Sequence, residues 1–275
     1  MKNKHLQITG VIGDPIAHSL SPAMQNAAFR KADLPFVYLP FHVPPSDLGR
    51  FVREAQRWGL AGFNVTIPHK EKVMRYLDSV SPEARAIGAV NTVVVRAKKF
   101  VGFNTDAPGY LHSLKADTGF RPRGKRILIL GAGGAARAVL FTLAQAGAKE
   151  IAVCDQIPGK AQSLVSDFKK RFRGVCVGGA ELENVDLLIN ATPVGLKGTR
   201  FKNLPIKKLP RTAIVSDLVY HPAMTPLLKE AKRLRLRTHS GLGMLLQQGA
   251  LAFTLWTGKK PDLKIMKKAL LDALR

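Results

Sequence analysis

Residues that would support a disulfide-bonded, metal-binding or membrane-spanning protein are scarce in this sequence. Its 275 residues include two cysteines, Cys154 and Cys176, which are too few for a disulfide framework or a thiolate metal site. None of its seven histidines has the spacing of a metal-ligand set. It contains no run of about 18 apolar residues, and its first residues lack the apolar segment of a signal peptide. We therefore expect a soluble, cytoplasmic protein with no metal and no membrane partner.

Acidic residues are also scarce, with 19 against 43 basic residues and a formal net charge of +24. Such an excess attracts nucleic acid, an anionic membrane surface or small anionic ligands. The basic clusters Lys169–Arg173 and Lys229–Arg237 fall on predicted helices or just after them, where solvated faces are the ordinary interpretation. The sequence has no zinc-finger spacing, no aromatic RNA-binding signature and no isolated basic tail. We expect the charge to help collect anionic small molecules, and we predict no nucleic-acid partner.

The alternation of short apolar runs with longer amphipathic segments predicts an α/β fold. Apolar residues make up 46% of the chain, enough for the cores of two α/β domains at this length. The alternation is typical of parallel sheets covered by helices. The predicted strands are Gln7–Ile12, Val37–Phe41, Gly62–Thr66, Thr92–Arg96, Arg126–Leu130, Ile151–Cys154, Val175–Val177, Asp186–Asn190 and Ala213–Asp217. Two further helices are predicted at Leu242–Thr257 and Leu263–Leu274.

Turn residues indicate where one domain ends and the next begins. Gly119, Pro122 and Gly124 come just before the strongest predicted strand, so a second folding unit is predicted to start near them. We place a first domain at 1–115 and a second at 116–240. The last two helices, at 241–275, need a surface to pack on, and a return to the first domain is the expected arrangement.

A glycine-rich turn follows the strand Arg126–Leu130 and leads into a helical segment. Strand, turn and helix in this order are typical of a Rossmann dinucleotide site. Gly131 would permit the tight turn and Gly133 would let the backbone approach a pyrophosphate, which the positive end of the helix would also attract. The candidate cofactor-binding residues of this turn are Gly131, Ala132, Gly133, Gly134, Ala135 and Ala136. A tight turn that binds no ligand is the alternative.

The residue after the second strand of this unit is Asp155. A carboxylate at this position can accept hydrogen bonds from both ribose hydroxyls of NAD, and it repels the 2′-phosphate of NADP. Asp155 is therefore a candidate cofactor-binding residue that favours NAD. Alternatively, Asp155 only begins the loop to Gly159, and Lys160 reaches a phosphate.

Lys70 has an unusual position for a cation. Pro68 predicts that a helix begins there, which would put Lys70 in its first turn. A helix N-terminus lowers the pKa of a lysine, whereas a nearby carboxylate raises it. A lone lysine is more often a solvated surface charge, so the position alone is compatible with a catalytic role or with none.

Seven short segments, in order along nearly the whole chain, resemble the signature motifs of the shikimate dehydrogenase family. They are Gly13–Pro22, Asn64–Lys70, Gly88–Thr92, Gly102–Asp106, Asn190–Pro193, Asp217–Tyr220 and Gly241–Gln248. The resemblance implies that 1–115 binds substrate and carries the catalytic residues, that 116–240 is a Rossmann NAD(P)-binding domain, and that the chemistry takes place between them. The implied reaction is the reversible NAD(P)H-dependent reduction of 3-dehydroshikimate to shikimate, a step of aromatic amino-acid biosynthesis through chorismate.

The resemblance also implies roles for single residues. Lys70 and Asp106 would be catalytic, and Leu218 and Gly241 would contact the nicotinamide. The implied substrate-binding residues are Ser19, Ser21, Thr66, Asn91, Asp106, Tyr220 and Gln248. The two serines would hold the substrate carboxylate and the others would hold ring hydroxyls or line the same pocket. NADP is the usual cofactor of the family, held by an Asn-Arg-Thr segment, whereas this chain has Asp155, Gln156 and Ile157 there, which favours NAD.

Local structure offers another role for several of these residues. Ser21 and Asp106 each stand just before a helix start that contains a proline, so both could be helix caps. Asn91 and Thr66 could satisfy turns. Tyr220 and Gln248 taken alone would be packing and helix-surface residues.

Two other functions are compatible with the sequence. An NAD-preferring quinate/shikimate dehydrogenase of the same family would accommodate one more ring hydroxyl near the serines. From a different class, a non-catalytic dinucleotide sensor could use the basic surface to bind nucleic acid, although the presence of both Lys70 and Asp106 favours an enzyme. The oligomeric state is open, and a homodimer is among the possibilities.

Overall fold

The computed structural model describes residues 5–274. The chain divides into two compact units, one formed by residues up to Thr105 together with those from Leu246 onward, the other by Asp106–Leu245. Each unit contains its own six-stranded sheet. The predicted two-domain α/β fold, with C-terminal helices that return to the first domain, is therefore confirmed. The assignment of 1–115, 116–240 and 241–275 to separate tasks stays a prediction.

Strands and helices alternate along most of the described residues. The strands are β1 Gln7–Gly13, β2 Phe36–His42, β3 Gly62–Val65, β4 Ser79–Val80, β5 Thr92–Arg96, β6 Lys99–Phe103, β7 Arg126–Leu130, β8 Glu150–Cys154, β9 Val175–Val177, β10 Leu187–Asn190, β11 Val194–Lys197, β12 Ile214–Asp217 and β13 Arg237–Ser240. The helices are α1 Ser21–Lys31, α2 Leu48–Arg57, α3 Pro82–Ile87, α4 Asp106–Thr118, α5 Gly134–Gln145, α6 Lys160–Lys169, α7 Pro226–Arg233, α8 Gly241–Thr257 and α9 Leu263–Asp272.

The sheet of the first unit is mixed, with the order β2-β1-β3-β5-β6-β4. Strands β2, β1 and β3 are parallel, whereas β5 is antiparallel to β3 and to β6. The sequence did not predict β6, because the turn that joins it to β5 lacks glycine and asparagine. Ala97 and Lys98 instead take positive φ angles of 49° and 63°, the conformation of a tight hairpin turn that Asn-Gly usually supplies.

The core of the first unit is aromatic and aliphatic. Phe51, Phe63 and Phe100 pack edge to face, with ring centroids 5.5 Å apart in both contacts. The C-terminal segment joins this unit through hydrogen bonds as well as packing. The side-chain amide of Gln25 on α1 donates to the Gly249 carbonyl of α8 at 2.9 Å, so the last helices are anchored on α1.

The sheet of the second unit is entirely parallel, with the order β13-β12-β10-β7-β8-β9. This is the strand order of a Rossmann fold, in which ligands bind beside the carboxyl ends of the two central strands, here β7 and β10. The sequence did not predict β13, because Arg237–Ser240 is polar throughout. It forms a strand since it pairs with β12 at the edge of the sheet.

Candidate active site

The glycine turn of the second unit has the backbone of a dinucleotide-binding loop. Gly131 follows β7 with a φ of +105°, and a Cβ there would lie 2.8 Å from the Ala191 carbonyl oxygen, so the position requires glycine. Gly133 precedes the first turn of α5, and nothing lies within 4 Å of a Cβ built on it. Space is therefore open at the N-terminus of α5, where phosphates are favoured.

Asp155 is placed beside this turn. One carboxylate oxygen accepts a hydrogen bond from the Ala132 N–H at 2.8 Å, and the other accepts one from the Ile157 N–H at 2.8 Å. Each oxygen has a second lone pair, so the carboxylate can still accept a ribose hydroxyl. The two roles that the sequence allows are thus compatible. Asp155 organises its own loop and remains a candidate for binding the ribose.

A buried carboxylate that the sequence did not single out lies at the carboxyl end of β12. Asp217 accepts hydrogen bonds from the Asn190 side-chain amide at 2.8 Å, from the Val219 N–H at 3.0 Å and from the Thr225 hydroxyl at 2.6 Å. Burial raises the pKa of Asp217 to about 6, and its hydrogen bonds oppose that rise. The network holds the segment that follows β12, which contains Leu218 and Tyr220.

The predicted nicotinamide contacts lie close together. A Cβ on Gly241 would lie 2.4 Å from the Leu218 carbonyl oxygen, so α8 begins in direct backbone contact with the segment after β12. Tyr220, a little further on, is partly buried, and burial raises the pKa of its hydroxyl. The bulk of any other side chain at Gly241 would separate these segments.

Helix α4 begins with Asp106, which is buried and 4% exposed. Further along α4, a network of buried side chains links the helix to the sheet of the second unit. The hydroxyls of Ser113 and Ser216 lie 2.8 and 2.9 Å from the two ring nitrogens of His239, and Tyr110 donates to Ser216 at 3.1 Å. Burial lowers the pKa of His239 to about 4, although the Asp117 carboxylate acts in the opposite direction. No sequence pattern indicated this network.

In the first unit, Ser19 and Ser21 lie where the loop after β1 meets α1. The Ser19 hydroxyl accepts a hydrogen bond from the Ser21 N–H at 3.3 Å. Ser21 is already the first residue of α1, Leu20 occupies the cap position, and no side chain caps the helix. The alternative of Ser21 as a helix cap is therefore wrong, because the helix begins one residue earlier than Pro22 suggests.

The prediction of a helix that begins at Pro68 is also wrong. Residues 67–71 form turns, and a 3-10 helix starts only at Lys72. The His69 N–H donates to the Thr66 carbonyl at 2.9 Å, and the His69 ring is fully buried with Nε2 2.6 Å from the Val43 carbonyl. Proline favours turns as well as helix starts, and the anchored His69 makes this segment a turn. Lys70 therefore does not stand in the first turn of a helix.

The turn brings Lys70 close to other predicted substrate residues of the same unit. The Lys70 carbonyl accepts a hydrogen bond from the Val90 N–H at 2.8 Å, next to Asn91. The Asn91 amide nitrogen in turn lies 3.5 Å from the Gln248 side-chain oxygen. Thr66 lies at the carboxyl end of β3, and a Cβ on Gly13 would be 2.5 Å from its methyl group. The backbone of Lys70 is therefore held beside Asn91, and the Asn91 side chain lies near that of Gln248.

Within residues 5–274, no helix is long and apolar enough to cross a membrane. The same part of the chain contains no group of three or more His, Cys, Asp or Glu arranged around a common metal position.

The strand order and the glycine turn define a Rossmann-type dinucleotide-binding unit joined to a second α/β unit. Family profiles match residues 11–93, as the shikimate dehydrogenase substrate binding domain, and residues 241–271, as the shikimate 5′-dehydrogenase C-terminal domain. The chain is 45% identical to the shikimate dehydrogenase (NADP(+)) of Geobacter metallireducens, over 98% of this chain and 97% of that protein. It therefore belongs to the shikimate dehydrogenase family.

Solved structures of the family agree over the same length. Shikimate 5-dehydrogenase of Thermus thermophilus, in complex with NADP(H) and shikimate, is 42% identical, with a TM-score of 0.88 over 98% of this chain and 100% of that one. Quinate dehydrogenase of Corynebacterium glutamicum, in complex with NAD, is 30% identical, with a TM-score of 0.89 over 97% of this chain and 99% of that one.

Proposed function

We propose that this protein is an oxidoreductase that reversibly reduces 3-dehydroshikimate to shikimate with a nicotinamide dinucleotide, within aromatic amino-acid biosynthesis. One observation carries the proposal: a relative named shikimate dehydrogenase is 45% identical over 98% of the chain. The motif residues Lys70 and Asp106 stand within that matched length. The proposed domain tasks are substrate binding and catalysis at 1–115, dinucleotide binding at 116–240, and packing of 241–275 on the first domain.

The second unit fits a nicotinamide dinucleotide. The open space at Gly133 and the N–H groups at the start of α5 suit a pyrophosphate. Residues 131–136 would hold it, Asp155 would hold the adenosine ribose, and Leu218 and Gly241 would contact the nicotinamide. When bound, the dinucleotide supplies or accepts the hydride. The other steps fall to side chains of this chain.

In the reductive direction, negative charge grows on the ketone oxygen of the substrate. The ammonium of Lys70 would stabilise that oxygen and donate its proton to it. In the oxidative direction, the neutral amine of Lys70 would accept the hydroxyl proton. The carboxylate of Asp106 would accept a hydrogen bond from the reacting hydroxyl and orient it.

The remaining polar residues would fix the ring. Ser19 and Ser21 would donate hydroxyl hydrogen bonds to the substrate carboxylate, and Thr66, Asn91, Gln248 and Tyr220 would surround the ring hydroxyls. The high positive charge would raise the encounter rate with anionic substrate and dinucleotide. We propose a cytoplasmic enzyme that works on small molecules and does not bind nucleic acid.

The residues after β8 favour NAD as the preferred dinucleotide of this chain. Asp155 carries negative charge at the ribose position, whereas Gln156 and Ile157 offer no cation to a 2′-phosphate. The same residues favour a second candidate function, a quinate/shikimate dehydrogenase, because the quinate dehydrogenase of Corynebacterium glutamicum is in complex with NAD.

The reductive assay tests the proposed reaction. Purified protein is mixed with 3-dehydroshikimate and either NADPH or NADH, and loss of the reduced-nicotinamide absorbance is followed while the product is identified by mass spectrometry. Formation of shikimate in step with dinucleotide oxidation is expected. A folded protein that binds dinucleotide but forms no shikimate would contradict the proposal, and DNA binding by that inactive protein would favour the sensor.

A further inference from the structure

A buried hydrogen-bond chain in the first unit begins at Tyr38, a residue on β2 with 1% exposure. The Tyr38 hydroxyl donates to the Asn64 side-chain oxygen at 2.6 Å. The Asn64 amide nitrogen donates to the Asn91 backbone carbonyl at 3.0 Å and to the Thr92 hydroxyl at 2.9 Å. Asn64 therefore holds Thr92, the first residue of β5, and Asn91 just before it, which is a proposed substrate-binding residue.

The chain continues into the Asn91 side chain. Its oxygen accepts hydrogen bonds from the Thr105 N–H at 2.7 Å and the Thr92 hydroxyl at 3.0 Å. Because a backbone N–H can only donate, this contact identifies the oxygen end of the Asn91 amide. The nitrogen end then lies 2.9 Å from the Thr105 hydroxyl and 3.5 Å from the Gln248 oxygen. The oxygen end of Asn91 is thus held by Thr92 and Thr105, neither of which is assigned to the substrate.

We infer that Tyr38 is a positioning residue for substrate recognition, acting through Asn64 and Thr92 on Asn91. The inference rests on the proposed function, because Asn91 is assigned there to the ring hydroxyls. Tyr38 is suited to this task because its hydroxyl satisfies the Asn64 oxygen, a buried acceptor that would otherwise lack a donor. A satisfied buried network rigidifies its members, whereas a partly satisfied one lets them change orientation.

The test compares Tyr38→Phe with Thr9→Val. Thr9 pairs with Tyr38 in the register of β1 and β2, is fully buried, and donates its hydroxyl to the Val37 carbonyl at 3.0 Å. Both variants lose one buried hydroxyl, but only Tyr38→Phe interrupts the chain to Asn91. We expect Tyr38→Phe to raise the KM for shikimate about five- to tenfold, as expected for one lost hydrogen bond, with the KM for dinucleotide unchanged. Thr9→Val should leave both constants near those of the unsubstituted protein.

A double-mutant cycle tests whether Tyr38 acts through Asn91. In an Asn91→Ala background, Tyr38→Phe should have no further effect on kcat/KM for shikimate. If Tyr38→Phe does not fold, Thr92→Val and Thr92→Ser replace it, because only serine keeps the hydroxyl, and its KM should be the lower of the two. Equal constants for Tyr38→Phe and Thr9→Val, or additive effects in the cycle, would overturn the inference alone. Absence of shikimate turnover by the unsubstituted protein would overturn the proposed function, and the inference with it.

Discussion

The carboxylate of Asp155 accepts a 2.8 Å hydrogen bond from the backbone N–H of Ala132. The residue expected to choose the dinucleotide thus also supports the turn expected to hold its pyrophosphate. These two tasks respond differently to substitution. Charge determines which dinucleotide is tolerated, while an acceptor oxygen is enough to support the turn.

Asp155→Asn should raise the relative use of NADP. The substitution removes the negative charge and keeps one acceptor oxygen for the Ala132 N–H, while the bond from the Ile157 N–H is lost. We expect the ratio of kcat/KM for NADP to that for NAD to rise at least about fivefold, a small electrostatic effect at a solvated site. Glu181→Gln is the matched control, since Glu181 is an exposed acid elsewhere in the same unit. An unchanged ratio in Asp155→Asn would show that Asp155 does not face the ribose.

Substitution by alanine should have different effects at two glycines of the same turn. Gly131→Ala forces a φ of +105° on a residue with a Cβ and places that Cβ 2.8 Å from the Ala191 carbonyl oxygen, so it should lower the Tm by several degrees. Gly133→Ala has open space around its Cβ and should leave the Tm unchanged while raising the KM for dinucleotide. Normal dinucleotide binding by Gly133→Ala would place the pyrophosphate elsewhere.

Lys70→Ala should abolish most turnover without destabilising the protein. Loss of the proton donor is expected to lower kcat by about a hundredfold or more. The thermal transition should hardly move, because a partly exposed lysine contributes little to stability. Lys72→Ala, at an exposed lysine two residues further on, controls for the loss of a positive charge. Near-normal turnover by Lys70→Ala would remove Lys70 from the mechanism.

Asp217 and His239 should give stability opposite dependences on pH. Burial lowers the pKa of His239 from 6.5 to about 4, so its contribution is present above about pH 6.5 and is lost as the pH falls toward 4. Burial raises the pKa of Asp217 from 3.8 to about 6, so its contribution is present below about pH 3.8 and is lost as the pH rises toward 6. The two effects oppose each other between about pH 4 and 6.

Substitution of either group should reveal the pH dependence of stability that the other group contributes. Relative to the unsubstituted protein, Asp217→Asn should gain free energy of unfolding as the pH rises from about 4 to 6, and His239→Gln should gain it as the pH falls over a similar range. The expected change is about 3 kcal/mol in each case, measured by urea unfolding at several pH values. Parallel stability curves for all three proteins would show that neither pKa is shifted.

The fold could be predicted from the sequence wherever burial leaves a pattern in the chain. Strands such as Arg126–Leu130 are continuous apolar runs because helices cover both faces of a parallel sheet. The pattern fails where pairing rather than burial makes the strand. Arg237–Ser240 is polar and becomes a strand only beside β12, and β6 follows a tight turn made by Ala97 and Lys98.

The candidate site was predicted less completely, because its organisation depends on contacts between distant residues. Motifs selected Lys70 and Asn91, but the turn around Lys70 is set by the buried His69 and its contact with Val43. Asp217 lies in one of the family motifs, yet its hydrogen bond with Asn190 joins two strands and leaves no pattern in the local sequence. Tyr38 was not selected at all, since one tyrosine in an apolar strand resembles ordinary packing.

The most direct test of the proposed activity is the oxidative assay with four combinations of ligands: shikimate or quinate, each with NAD or NADP. Formation of the reduced nicotinamide is followed by its absorbance. We predict turnover of shikimate, faster with NAD than with NADP; turnover of quinate as well would identify the quinate/shikimate dehydrogenase. Absence of a reaction in all four combinations, by a folded protein that binds dinucleotide, would contradict the assignment.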